Sequence, residues 1–216
     1  MKTDIQLKSD VIEQLEWEPT VSSVHIDVNA KDGIITLRGT VPNYAEKGAA
    51  ERATQRVEGV KAIAEELTVE LHAASTRKDP EIAQAVINTL RWHEWVPDNI
   101  QATVENGWVT LSGSARWDYE RRAAEDCVRF LSGVTGVSDN IILSPGIKPK
   151  AIKAAIEKAL GRDAEIDAAN IDVSADGGKV TLAGTVGSWG EREEAAATAW
   201  SAPGVEEVEN ELAVSV

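Results

Sequence analysis

The sequence predicts an α+β fold built from three tandem α-β-β-α-β units, each with two helices packed on a three-stranded mixed sheet. Three landmarks in fixed order predict it. The string Gly33-Ile34-Ile35-Thr36-Leu37-Arg38-Gly39 returns as Gly107-Trp108-Val109-Thr110-Leu111-Ser112-Gly113 and as Gly178-Lys179-Val180-Thr181-Leu182-Ala183-Gly184, at spacings of 74 and 71 residues. A Gly-Val pair follows each string at the same distance, as Gly59-Val60, Gly133-Val134 and Gly204-Val205. Upstream, apolar triplets spaced i, i+4, i+8 recur as Leu7/Val11/Leu15, Ile82/Val86/Leu90 and Ile152/Ile156/Leu160.

Each element follows from period and punctuation. The triplets mark one face of a first helix, roughly residues 4–16, 79–91 and 148–160. Alternation at Val24/Ile26/Val28, Ile100/Ala102/Val104 and Ala169/Ile171/Val173 predicts a half-buried strand. His25, out of register with its apolar neighbours, is expected to face solvent. A turn follows, strongest at Asn106-Gly107, where glycine accepts positive φ. The β-branched Gly-x-(Ile/Val)-Thr-Leu-x-Gly string is the returning strand.

A second helix is predicted over roughly residues 44–57, 118–131 and 190–202. Its inward positions are small, Ala50/Ala124/Ala195 and Ala53/Cys127/Thr198, which permits close approach to a sheet. Gly59, Gly133 and Gly204 are expected as helix C-caps. A last strand closes each unit over residues 63–71, 137–143 and 208–216. The domains are accordingly drawn at residues 1–72, 78–145 and 147–216, joined by a polar stretch and by Ser144-Pro145-Gly146.

This order, the Gly-x-Val-Thr-Leu-x-Gly strand and the later Gly-Val before an apolar strand resemble the BON domain, in three tandem copies across nearly the whole chain. The family is named for an osmotically induced bacterial envelope protein and nodulation proteins, and is also labelled transport-associated. The resemblance implies a non-catalytic, stress-linked binding module; relatives bind phospholipid or maintain the envelope, and some bind a monovalent cation beside another domain type. Many relatives carry an export signal or a lipoprotein anchor. Here the first ten residues alternate polar and apolar side chains without an apolar signal stretch, which predicts a cytoplasmic protein, or a periplasmic one if a leader was removed.

Composition narrows the functional classes. The 216 residues carry 22 basic and 36 acidic side chains, a formal charge of −14, which argues against nucleic acid as a partner. No apolar run is long enough to cross a bilayer. The one cysteine, Cys127, excludes an internal disulfide and reads as a small buried thiol. His25, His72 and His93 stand in no zinc spacing, no phosphate-loop pattern occurs, and no nucleophile and base recur together, so neither an enzyme, a metal nor a cofactor is expected. The alternating acids Asp163, Glu165 and Asp167 read as a solvated loop. With other acidic surfaces between repeats they support the alternative of a small-ligand or cation sensor.

The aromatic residues are the strongest functional lead. Seven tryptophans stand beside one phenylalanine and two tyrosines, and Trp92, Trp95, Trp108, Trp117 and Tyr119 crowd into the second unit. Trp108 holds the variable position of its strand, where the other copies have Ile34 and Lys179. Two roles are open: the indoles fill seams between units, or they form an exposed patch for a membrane interface or a protein partner. Over residues 1–74, 75–146 and 147–216 the formal charges are −5, −3 and −6, so the middle unit is the least acidic. Trp92, Trp95, Arg116, Trp117, Tyr119 and Arg121 are therefore the expected contact residues, for a protein partner or a phospholipid surface. The sequence fixes neither the partner nor an oligomeric state.

Overall fold

The computed structural model describes residues 2–146, 151–163 and 166–215. The first repeat consists of α1 (Asp4–Trp17), β1 (Ile26–Lys31), β2 (Ile34–Val41), α2 (Tyr44–Gln55) and β3 (Ala62–Val69). The second has α3 (Asp79–Trp92), β4 (Gln101–Glu105), β5 (Trp108–Ala115), α4 (Asp118–Arg129) and β6 (Gly136–Leu143). The third has α5 (Ile152–Leu160), β7 (Ile171–Asp176), β8 (Lys179–Val186), α6 (Trp189–Trp200), β9 (Glu207–Asn210) and β10 (Ala213–Val214). The α+β class and the three repeated units are as the sequence predicts.

Each sheet is mixed because a hairpin supplies an antiparallel pair and a helical crossover supplies a parallel one. Thus β1 pairs antiparallel with β2, with Ile26 opposite Gly39, and β2 pairs parallel with β3, with Ile34 opposite Ala62. The string strand is central every time, and the first strand is at the edge. By compactness the chain divides into two units: residues 1–113 with 122–141, and residues 114–121 with 142–216.

The cores come from the predicted stripes. In the first repeat Leu7, Val11 and Leu15 meet Ile35, Leu37 and Ala50, all buried. In the third, Ile152, Ile156 and Leu160 meet Val180, Leu182 and Ala195. Thr3 caps α1 through a reciprocal box with Gln6. Asp79, at the start of α3, instead accepts from the amides of Asn106 and Gly107 at 2.8 and 2.9 Å, tying the helix to the β4–β5 turn. Asn106 takes positive φ ahead of Gly107, as the Asn-Gly signal requires.

Several local expectations are corrected. Val24 is exposed in a single 3₁₀ turn, Ser23–His25, rather than inward on a strand, and Ala169 is exposed in the matching turn Ala168–Asn170. The strands start later because the chain folds over the second glycine of the string, and the carbonyls of His25 and Asn170 occupy the space a Cβ would need at Gly39 and Gly184. Gly59, Gly133 and Gly204 are not helix caps. They have positive φ inside turns closed by Val60 N–H to Val57 O, Val134 N–H to Leu131 O and Val205 N–H to Ala202 O.

On α4 and α6 the deeper position lies one residue beyond Cys127 and Thr198, which are half-buried while Val128 and Ala199 are fully buried; on α2 both Ala53 and Thr54 are fully buried. Thr54 suits that depth because its hydroxyl donates to Ala50 O. The last strand of the third repeat is two short strands on β8. Asn210 Oδ1 accepts from Leu212 N–H and turns Leu212 into the core between them. Glu65 and Asp139 make the same i to i+2 bond to Leu67 and Ile141 without ending their strands. The predicted start of the third first helix, residues 148–150, lies outside the described residues.

Candidate functional site

The apolar stripe of α3 decides where its tryptophans point. Ile82, Val86 and Leu90 face inward, and Trp92 lies two residues past Leu90, about 200° around the helix. It is 89% exposed. The helix ends there, with His93 N–H donating to Leu90 O, and Val96 N–H then closes a turn on His93 O. Trp95 sits in that turn, 62% exposed, with its ring edge-on to His93 at 6.1 Å. Trp17 takes the corresponding place at the end of α1 and is also exposed. Trp92 and Trp95 therefore fill no seam.

Beside this loop is a groove of about 400 Å³. Ile87, Leu90 and Arg91 of α3 form one wall, and Pro97, Ile100 and Ala102 the other. The Trp92–Trp95 loop joins the two walls. Its origin is a substitution among the repeats: the strand position held by buried Val28 and Val173 is half-buried Ala102 here. Of the three first strands β4 has no buried residue, whereas β1 buries Val28 and β7 buries Ile171 and Val173.

The remaining expected contact residues belong to the other compact unit. Arg116 is exposed, Trp117 half-buried and Tyr119 53% exposed. The backbone amides of Arg116 and Trp117 donate to Glu120 at 2.7 and 3.1 Å, which fixes the entry to α4. Arg121 pairs with the buried carboxylate of Asp118, and its guanidinium lies 4.8 Å from the ring centre of Trp200. Its charge is thus engaged within its own unit, in an ion pair and a cation–π contact. Trp108 does something different from Trp92. It is 48% exposed, lies flat on the bare backbone of Gly136 and donates from Nε1 to Ser138 Oγ at 2.9 Å. The same place on the third sheet holds Lys179 paired to Glu207 at 3.0 Å.

Among the described residues no group of three or more His, Cys, Asp or Glu side chains is arranged to hold a metal ion. Asp167 spends its carboxylate on Ala169 N–H and the Asn170 amide; Glu165, the middle of that acidic triplet, lies outside the described residues. Among the described residues no helix is long and apolar enough to cross a membrane.

Burial, with a smaller contribution from Asp126, pushes the Cys127 thiol up to about 11, and its sulfur donates to Ala124 O at 3.3 Å. Such a thiol is thiolate to only about one part in 10⁴ at pH 7, so iodoacetamide should react about 100-fold more slowly than with a free cysteine. The rate should climb tenfold per pH unit to about pH 10; a plateau near pH 8–9 would mean an ordinary thiol.

Sequence reasoning missed one recurring carboxylate. Glu46, Glu120 and Glu191 lie at the 74- and 71-residue spacings of the repeat, each in the first turn of a second helix. Glu46 accepts from Ser22 N–H at 2.6 Å, and Glu191 from Asp167 and Gly187 N–H at 2.7 and 2.6 Å. They brace the loop before the first strand. In the second repeat the loop position matching Ser22 and Asp167 is buried Val96, and Glu120 turns to its own helix entry instead. The spacing was the available signal, hidden among 36 acidic residues.

The family model of the BON domain matches residues 3–70, 78–145 and 150–215. The chain belongs to the BON domain family. BON domains are regarded as modules that bind lipid or protein, and one match falls on each repeat. No curated protein matches the chain. Among solved structures, the C-terminal domain of CdsD, the structural protein of the type III secretion system of Chlamydia trachomatis, is 15% identical. It is aligned over 100% of both chains at a TM-score of 0.27. The PrgH periplasmic domain is 11% identical over 88% of this chain and 95% of its own, at 0.22. Scores this low carry no argument about the BON repeats.

Proposed function

We propose that this triple BON protein is a non-catalytic module that binds a protein partner through the second repeat, with Trp92 and Trp95 as the contact. The observation that carries it is the exposure of two indoles on one turn beside a groove lined by apolar and charged side chains. Large aromatic side chains gain little from water, and they dominate contact energies when a partner covers them. Charge favours protein over anionic lipid. Glu94 stands between the indoles, the chain carries −14, and Arg121, the basic group expected beside Trp117 and Tyr119, is already engaged.

The test has two arms. Flotation with phosphatidylcholine vesicles, and with vesicles containing phosphatidylglycerol, should leave the chain unbound and its tryptophan emission unshifted. A photo-crosslinking residue at Trp95 should give a discrete protein adduct in the native host, weakened by Trp92→Ala, while one at Trp17 should not. Flotation with a blue shift that Trp92→Ala and Trp95→Ala remove would overturn the protein reading in favour of lipid.

A further inference from the structure

The β4 edge beside the groove asks for a particular kind of partner. β4 pairs only with β5, and among the described residues no strand lies along its other side. In an antiparallel pair alternate residues direct their N–H and C=O groups away from the partner strand. β4 therefore presents a short row of backbone donors and acceptors, the template on which an added strand forms.

All three repeats have a first strand at the edge, but the second differs in what flanks it. At the matching strand position Val28 and Val173 are buried, whereas Ala102 is half-buried and lines the groove. An added strand would set alternate side chains toward α3, where Ile87, Leu90 and Ile100 offer an apolar lining. The volume, about 400 Å³, is at the scale of pockets that seat ligand side chains.

Charge specifies the rest. Exposed Asp98 lines the groove, Glu94 stands in the adjoining loop and Glu105 ends the strand, against one exposed cation, Arg91, on the facing wall. With the chain at −14, an acidic or neutral segment is held back and a basic one is drawn in.

We propose that the groove between α3 and the free edge of β4 takes an extended peptide segment of a protein partner as an added strand, with apolar side chains in the groove and Lys or Arg at its flanks. This rests on the protein-binding reading and adds to it the conformation and chemistry of the ligand. The Trp92–Trp95 loop joins the two walls without lining the groove, so the indoles would meet the partner outside the bound strand.

The probe is a synthetic peptide alternating valine and threonine over about five residues, flanked by lysine pairs, titrated into the full chain. Binding should slow amide hydrogen exchange at residues 101–105. Ala102→Val, which installs the residue of the other two repeats and should leave the melting temperature unchanged or raised, should weaken binding at least about tenfold. N-methylation of alternate peptide amides, and exchange of the flanking lysines for glutamate, should each do the same.

Unchanged exchange at residues 101–105 at about millimolar peptide would overturn the proposal, as would equal affinity in Ala102→Val. A concentration-dependent dimer of the free chain abolished by Ala102→Val would replace the peptide with a second copy. The two readings fail separately. Binding that survives Trp92→Ala with Trp95→Ala but not Ala102→Val upholds the groove and removes the aromatic contact; the reverse pattern removes the groove.

Discussion

Gly39→Ala should unfold its repeat or come close to it. Gly39, Gly113 and Gly184 lie two residues before the ends of β2, β5 and β8 with φ of +128°, +128° and +122°, a region that a residue with a Cβ rarely enters. The space is taken as well. At Gly113 an added Cβ would stand 2.6 Å from Asn99 O, and at Gly39 closer still to His25 O. Neither obstacle can swing away, because both are backbone carbonyls at the point where the chain turns into the first strand.

Relieving the clash means moving that turn, and with it the start of β1 or β4. Strain and displacement together should lower stability by about 3–5 kcal/mol, measured by urea unfolding of Gly39→Ala or Gly113→Ala. Gly190→Ala is the control. Gly190 lies in the first turn of α6 with ordinary φ, and its nearest neighbour to a new Cβ is Ser188 Oγ at 3.7 Å. It should be neutral or gain about 0.5–1 kcal/mol from the better helix propensity of alanine. Loss of less than about 1 kcal/mol in Gly39→Ala would mean that the loop over the glycine is loose.

The same glycine explains what the sequence could and could not disclose. The string, the triplets and their spacing fix element order because they record backbone demands and inward faces, which every copy meets in the same way. The strands start two residues later than alternation at Val24 and Ala169 predicts because the loop that crosses Gly39 and Gly184 leaves no trace in alternation; the apolar Val24 suits a strand and is 82% exposed. Gly59 reads as a cap in sequence because its distance from the helix end does not show that a turn intervenes. Trp92, Trp95 and Trp108 were equally conspicuous in sequence, yet only coordinates separate them. Trp108 covers Gly136 on the sheet, while Trp92 and Trp95 are 89% and 62% exposed. The groove was illegible for another reason: the 74- and 71-residue spacings set Ala102 against Val28 and Val173, but a smaller side chain at one position does not say in sequence whether its neighbours fill the space.

Leu111→Ala and Trp92→Ala should part company sharply. Leu37, Leu111 and Leu182 hold one place in the three string strands, and each is 0% exposed. Truncating Leu111 removes buried apolar surface and leaves a cavity between helix and sheet that the central strand, paired on both sides, cannot collapse to fill. The expected loss is about 2–5 kcal/mol in urea unfolding. Trp92→Ala deletes a much larger side chain, yet 89% of that residue already meets water and its backbone stays helical, so the expected change is within about 0.5 kcal/mol. A change that small would leave Trp92 available for the partner contact proposed for it. If Trp92→Ala instead loses more than about 1 kcal/mol, the indole is holding the end of α3 in place, and the contact surface must be sought from Trp95 alone.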